Sequence, residues 1–133
     1  MIETWKRVPD HDLLWASNLG RIKSDPYLQP MPNGGYRIRE LLPTYGHNQR
    51  IGKSYLRKII VFRRKTYKVA SLVCKSFVGL KPSGSVVSHL DEIWFNNAAS
   101  NLSWTTQKVN MNMPKIKQYQ RDVCRIKMRG LPV

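Results

Sequence analysis

An α+β fold is predicted by three features of the residue order. Turn-prone clusters cut the first half of the chain into short pieces. Two of those pieces carry the alternation or the β-branched and aromatic content of strands. One stretch then changes to helical spacing, after which short strand-like segments return before a last amphipathic run.

The elements follow in order. VPDHD (8–12) and SDP (24–26) are turn-prone, and PMPNGGY (30–36) is the strongest turn signal, because Asn-Gly-Gly tolerates the positive φ of hairpin turns. Tyr36–Leu42 alternates as a strand, with Tyr36, Ile38 and Glu40 on one face and Arg37 and Arg39 on the other. Residues 43–48 read as loop. Ser54–Phe62 is a second strand, and Arg63, Arg64 and Lys65 form a basic turn after it. Val69, Leu72, Val73, Ser76 and Phe77 recur at the spacing of one helical face, so a helix is predicted over Lys68–Val78. Gly79–Gly84 is a connector containing Pro82.

Val86-Val87 and Leu102–Thr105 are short strand candidates on either side of a polar, irregular stretch. Thr105 or Thr106 can cap a following helix, and Pro114 ends that helix or opens the next. Ile116, Tyr119, Val123 and Ile126 line the apolar face of a final helix, with Lys117, Arg121, Arg125 and Lys127 opposite. Those cations serve either solvation or phosphate contact. The organisation read from this pass is an N-terminal unit over 1–80 that includes the linking helix, a second unit over 81–113, and a basic helix or tail over 114–133.

The chain has 133 residues with 23 Lys and Arg against 8 Asp and Glu, a formal charge of +15. No acidic residue occurs between Leu41 and Leu90, a stretch that carries ten Lys and Arg. A field of that sign favours a polyanionic partner, and nucleic acid is the commonest. Charge alone also suits an RNA-associated protein, a membrane-surface protein or a merely solvated basic surface. No apolar run has the length of a signal core or a membrane span, so an intracellular, cytoplasmic monomer without membrane contact is expected. Cys74 and Cys124 are far apart and read as free thiols, which excludes a structural zinc site built from cysteines.

The stretch Ser88–Asn110 reads SHLDEIWFNNAASNLSWTTQKVN. His89, Asp91, Asn96, Asn97, Asn101, Leu102, Trp104, Thr106 and Asn110 match, in order and without insertion, the pattern of the HNH motif of phage and intron homing endonucleases, which this stretch resembles. Near the start, Trp5, Val8 and Pro9 lead into SNLGRIKS (17–24), which resembles the modular DNA-binding segment that precedes such motifs. YKVASLVCKSF (67–77) looks like the helix that joins the two. The resemblance covers most of 3–112.

The resemblance implies two short strands and a helix gripping one divalent metal, Mg²⁺ or Mn²⁺, on double-stranded DNA. His89 would be the general base on a water. Asn101 would accept a hydrogen bond from the other ring nitrogen and fix the tautomer. Asn110 would ligate the metal from the helix, with Ser88 and Asp91 as further ligands. The family's small sheets lie against the major groove, so Arg21, Lys23, Arg37, Arg39, Arg57, Lys58, Arg63, Arg64 and Lys65 are the expected DNA contacts.

Three departures accompany the match. Ser88 stands where the family carries Asp, which removes an anionic ligand. Glu92-Ile93 replaces Gly-Asn, and Ala70-Ser71 replaces His-Arg in the linking helix. The implied function is a metal-dependent, strand-nicking endonuclease of a phage or mobile element. The alternative is a catalytically impaired DNA-binding protein that regulates DNA or engages a host protein. His11 and His47 read as ordinary loop residues, Asn96 and Asn97 as loop-shaping, and Trp94 and Trp104 as core.

Overall fold

The structure is a computed structural model that describes residues 2–52 and 55–106. Asn110 and the helix expected over 114–133 lie outside the described residues. Ten strands and one α-helix occur in the described part.

β1 (Trp5–Arg7), β2 (Leu14–Ser17) and β3 (Ile22–Ser24) form an antiparallel sheet in that order, and an isolated bridge joins Ile22 to Thr44. These strands are only three or four residues long, too short for alternation to stand out in the sequence. β4 (Tyr27–Pro30) and β5 (Tyr36–Arg39) make a two-stranded ribbon whose turn holds Gly34 and Gly35 at φ +94° and +75°. β5 is exposed at every position, while Tyr27 at the start of β4 packs against the core beside Phe62.

β6 (His47–Ile51), β7 (Tyr55–Phe62) and β8 (Lys65–Lys68) form a second three-stranded sheet. His47, expected in a loop, pairs with Ile59 at the start of β6. Phe62 pairs with Lys65, leaving Arg63 and Arg64 as a two-residue turn at φ +51° and +68°. A turn of this hand matches the twist of the flanking strands, but its positive φ normally selects Asn and Gly.

The helix α1 (Val69–Phe77) falls within one residue of its expected ends. Val69, Leu72, Val73 and Cys74 are buried, as an i, i+3, i+4 stripe requires. The helix stops where the amides of Val78 and Gly79 both bond the Cys74 carbonyl, at 2.9 and 3.1 Å. β9 (Ser85–His89) and β10 (Leu102–Thr106) pair antiparallel, with His89 opposite Leu102.

One apolar cluster joins these pieces. It draws Val8, Leu14, Ala16 and Ile22 from the first sheet and its β1–β2 connection, Ile60 and Phe62 from β7, the α1 stripe, and Leu102 from β10. Truncating a residue such as Leu72 to Ala would cost about 2–5 kcal/mol, because the cavity left behind adds to the lost transfer energy. Trp104 packs against this cluster, as expected, and its indole donates to the Gly79 carbonyl at 2.7 Å, tying β10 to the end of α1. Trp94 does not join the cluster. No helix among the described residues is long and apolar enough to cross a membrane.

Candidate active site and nucleic-acid interface

The loop between β9 and β10 is folded around Asp91 and Asn101. The Asn101 side-chain oxygen accepts the Asp91 amide at 3.0 Å, and its amide nitrogen donates to Asp91 Oδ1 at 2.8 Å and to the Asn96 carbonyl at 2.9 Å. Asp91 Oδ1 also accepts the Ile93 amide at 2.9 Å, and Oδ2 accepts the Asn96 side chain at 2.7 Å. The Asn96 side-chain amide, followed by the Ile93 backbone amide and the Asn101 side chain, holds the Asp91 carboxyl below the ordinary carboxylate range against the opposing effect of burial. Glu92, at the position where the motif usually has Gly, sits at φ +60° and donates its amide to the His89 carbonyl at 2.9 Å.

Two expected roles are corrected by this geometry. Asn101 does not hold the imidazole, because both ends of its amide are engaged with Asp91 and Asn96. The group that does is Asn97, whose Oδ1 lies 2.7 Å from His89 Nε2. An amide oxygen only accepts, so Nε2 carries a proton, and in the neutral ring Nδ1 is the nitrogen with the lone pair. Asp91, expected as a metal ligand, has both oxygens committed to loop donors and serves as the knot of the loop instead. The one signal for Asn97 was its place in Asn96-Asn97, where spacing alone could not separate a loop former from a ring partner.

The loop is also pinned from behind. The Ala99 amide donates to the Asn18 carbonyl at 2.8 Å. Gly20, at φ +96°, lies against the Asn97 backbone, and a Cβ there would stand 2.8 Å from the Asn97 carbonyl carbon. The SNLG turn of the first sheet is thus the seat on which the partner of His89 rests. Asn97 and Ser88 are almost fully buried.

The expected DNA-contacting cations divide into two sets. Arg21 is paired with Glu3 through two guanidinium nitrogens; the bond holds the Glu3 carboxyl low and the guanidinium high. Its charge is therefore balanced by Glu3 within the protein. Lys23 lies 4.5 Å from the centre of the Trp5 ring. Arg57 donates to Gln49 across the strand pair at 2.7 Å. Arg63 and Lys65 sit over Tyr27 and Tyr67, at 5.5 and 5.3 Å. Lys58 reaches the Trp94 ring at 5.9 Å, which brings the second sheet beside the His89 loop. Arg37 and Arg39 project from the exposed ribbon. No acidic partner is recorded for Arg37, Arg39, Arg57, Lys58, Arg63, Arg64 or Lys65 among the described residues.

Comparison with known proteins places this arrangement. No protein-family model matches the chain. It is 30% identical over 115 residues to an uncharacterized HNH endonuclease of Acanthamoeba polyphaga mimivirus, a match that covers 84% of this chain and 30% of that relative. The chain thus spans under a third of the curated relative it matches. Among solved structures it resembles one reporting DNA binding and cleavage by the HNH homing endonuclease I-HmuI, with a TM-score of 0.55 and 25% identity over 93% of this chain and 67% of the other.

Proposed function

We propose that the chain, which is similar to HNH endonucleases in sequence and fold, is itself a member of that family and hydrolyses phosphodiester bonds of double-stranded DNA, one strand per encounter. The observation that carries this reading is the His89–Asn97 contact, which leaves Nδ1 of a partly exposed imidazole as a proton acceptor. His89 takes a proton from water through Nδ1, and the water oxygen attacks phosphorus as the bond to the leaving oxygen breaks. Asn97 keeps the ring in the one tautomer and orientation that can do so. The exposed cations of the ribbon and second sheet, together with Lys23, supply phosphate contacts that orient the duplex.

The described residues do not by themselves fit a divalent cation. Ser88 offers a neutral and buried hydroxyl, the Asp91 carboxylate already accepts three hydrogen bonds from its own loop, and no group of three His, Cys, Asp or Glu converges among the described residues. Hard cations call for several oxygen ligands, usually anionic ones. A bound Mg²⁺ or Mn²⁺ would need oxygen ligands beyond these, and the dependence of cleavage on each cation measures whether the full chain supplies them.

The test is conversion of supercoiled plasmid to the nicked form in Mg²⁺ or Mn²⁺, lost in His89→Ala. Plasmid that stays intact in every cation, at protein concentrations that shift its mobility, overturns the reading. A second reading, a DNA-binding protein that no longer cuts and regulates DNA or engages a host protein, is favoured by the buried hydroxyl at Ser88. Cleavage that appears only in Ser88→Asp would establish it. A phage or mobile-element origin and a cytoplasmic site of action belong to the same proposal.

A further inference from the structure

The segment Ile93–Asn96 is a tight turn, closed by the Asn96 amide on the Ile93 carbonyl at 3.1 Å. Its two central residues are Trp94 and Phe95. Such positions ordinarily take Gly, Pro, Asn, Asp or Ser. Here they carry two aromatic rings in an edge-to-face pair, with centroids 5.3 Å apart. Phe95 is 57% exposed, and Leu90 in the same loop is 59% exposed. Neither ring takes part in the apolar cluster, so folding alone does not account for them.

The turn is rigidly tied to the candidate active site. Asn96, its last residue, is bonded to the Asp91 carboxylate, and the next residue, Asn97, holds His89. The backbone turn that carries the rings is therefore connected to the imidazole through Asp91, Asn96 and Asn97. Lys58 lies over Trp94, which gives the patch a cationic border. An apolar aromatic tip bordered by positive charge, on a protein of charge +15, is complementary to a nucleobase face flanked by phosphates.

We infer that Trp94 and Phe95 form a stacking tip that receives an unstacked nucleobase of the bound DNA beside His89. This rests on the DNA-binding reading above and adds a ligand to it: the π-face of a base freed from its neighbour, without regard to its identity. Unstacking costs a few kcal/mol per step in a paired duplex and less where pairing is already broken. The tip therefore favours DNA with mismatched or unpaired bases.

The experiment compares binding of the full chain, at one fixed salt concentration, to a fully paired duplex and to the same duplex carrying a short central bubble. The native protein should bind the bubble more tightly. Phe95→Ala and Trp94→Ala should each lower bubble affinity by about 5- to 150-fold, the range for losing one base–aromatic stack. Affinity for the paired duplex should change far less. Phe95→Tyr, which keeps a ring, should retain the bubble preference and guards against a folding artefact. Equal affinity of the native protein for the two DNAs, or a preference that survives both alanine variants, overturns the inference while leaving the nuclease reading intact. Absence of binding to either DNA would reject both. Because the readout is binding, a protein that prefers the bubble but never cuts would sustain the tip and reject only the cleavage.

Discussion

Gly20, in the turn between β2 and β3, lies against the backbone of Asn97, in the loop between β9 and β10. Gly20→Ala would force a side chain into a left-handed conformation and against a backbone carbonyl, costing about 2–4 kcal/mol. Gly46→Ala is a fitting comparator, since its Cβ would meet the Ile59 carbonyl oxygen at 2.6 Å, also at positive φ. Both should lower the denaturant midpoint. Plasmid nicking per folded molecule should fall only in Gly20→Ala, because only that change displaces the partner of His89.

Asn97→Ala removes the acceptor that fixes the ring of His89. Cleavage should drop about 10- to 100-fold, the usual effect of losing a partner that orients a working imidazole. DNA affinity in a mobility-shift assay should stay within about twofold, since Asn97 is buried and carries no charge. An equal loss of affinity would mean that Asn97 acts through the fold rather than through the ring.

Asn101→Ala removes three hydrogen bonds of the loop and leaves the Asp91 amide without its acceptor. A cost of about 1–3 kcal/mol for the orphaned donor is expected, seen as a lower thermal midpoint. Leu102, next in the chain, is part of the shared core, so this loss should appear as one cooperative transition rather than local fraying.

His11 makes stability depend on pH. Its Nδ1 accepts the Leu13 and Leu14 amides at 3.1 and 3.2 Å, and its ring packs against Phe62 and Tyr67. Burial pushes its pKa below the ordinary value, Arg63 and Lys65 push the same way, and Asp12 opposes them. A histidine held neutral in the folded state binds fewer protons than it does unfolded. Its contribution is complete above the unfolded value of about 6.5 and is lost as pH falls from there toward the lower folded value. Denaturant titrations from pH 7.5 down to about 5 should show that decline, and His11→Asn, which keeps an acceptor but does not titrate, should flatten it.

The cations should differ in their effect on salt dependence. Replacing an unpaired phosphate contact such as Arg37 by Ala should reduce the slope of log affinity against log salt by about 0.9. Arg21→Ala should change that slope less, because Glu3 already neutralises Arg21. Equal changes would place both guanidinium groups on phosphate.

The parts of this molecule that were legible in the sequence are those with a long enough repeat. α1 and β7 were found nearly to the residue, because eight or nine positions of pattern suffice to show a period. The strands of the first sheet were missed, because three residues contain little more than one alternation. The sequence put Ser88 and His89 in the irregular stretch after Val86-Val87, whereas both belong to β9 and His89 is its last residue. The spacing could not say which of three asparagines faces the ring, since each has the same amide and only the turn closed at Asn96 decides. The ion pair of Arg21 was not legible for another reason: its carboxylate partner, Glu3, is 18 positions away in the chain. Trp94 was expected in the core because tryptophan is usually buried, and that it packs beside Phe95 and Lys58 instead could not be foreseen from its neighbours in sequence.

The Arg63-Arg64 turn sets two selective pressures against each other. Glycine or asparagine would relax that corner, so a screen for heat resistance alone should repeatedly discard its guanidinium groups. A screen for retention on DNA should restore them. Variants recovered under the two regimes would diverge first at this hairpin corner, long before either altered the core.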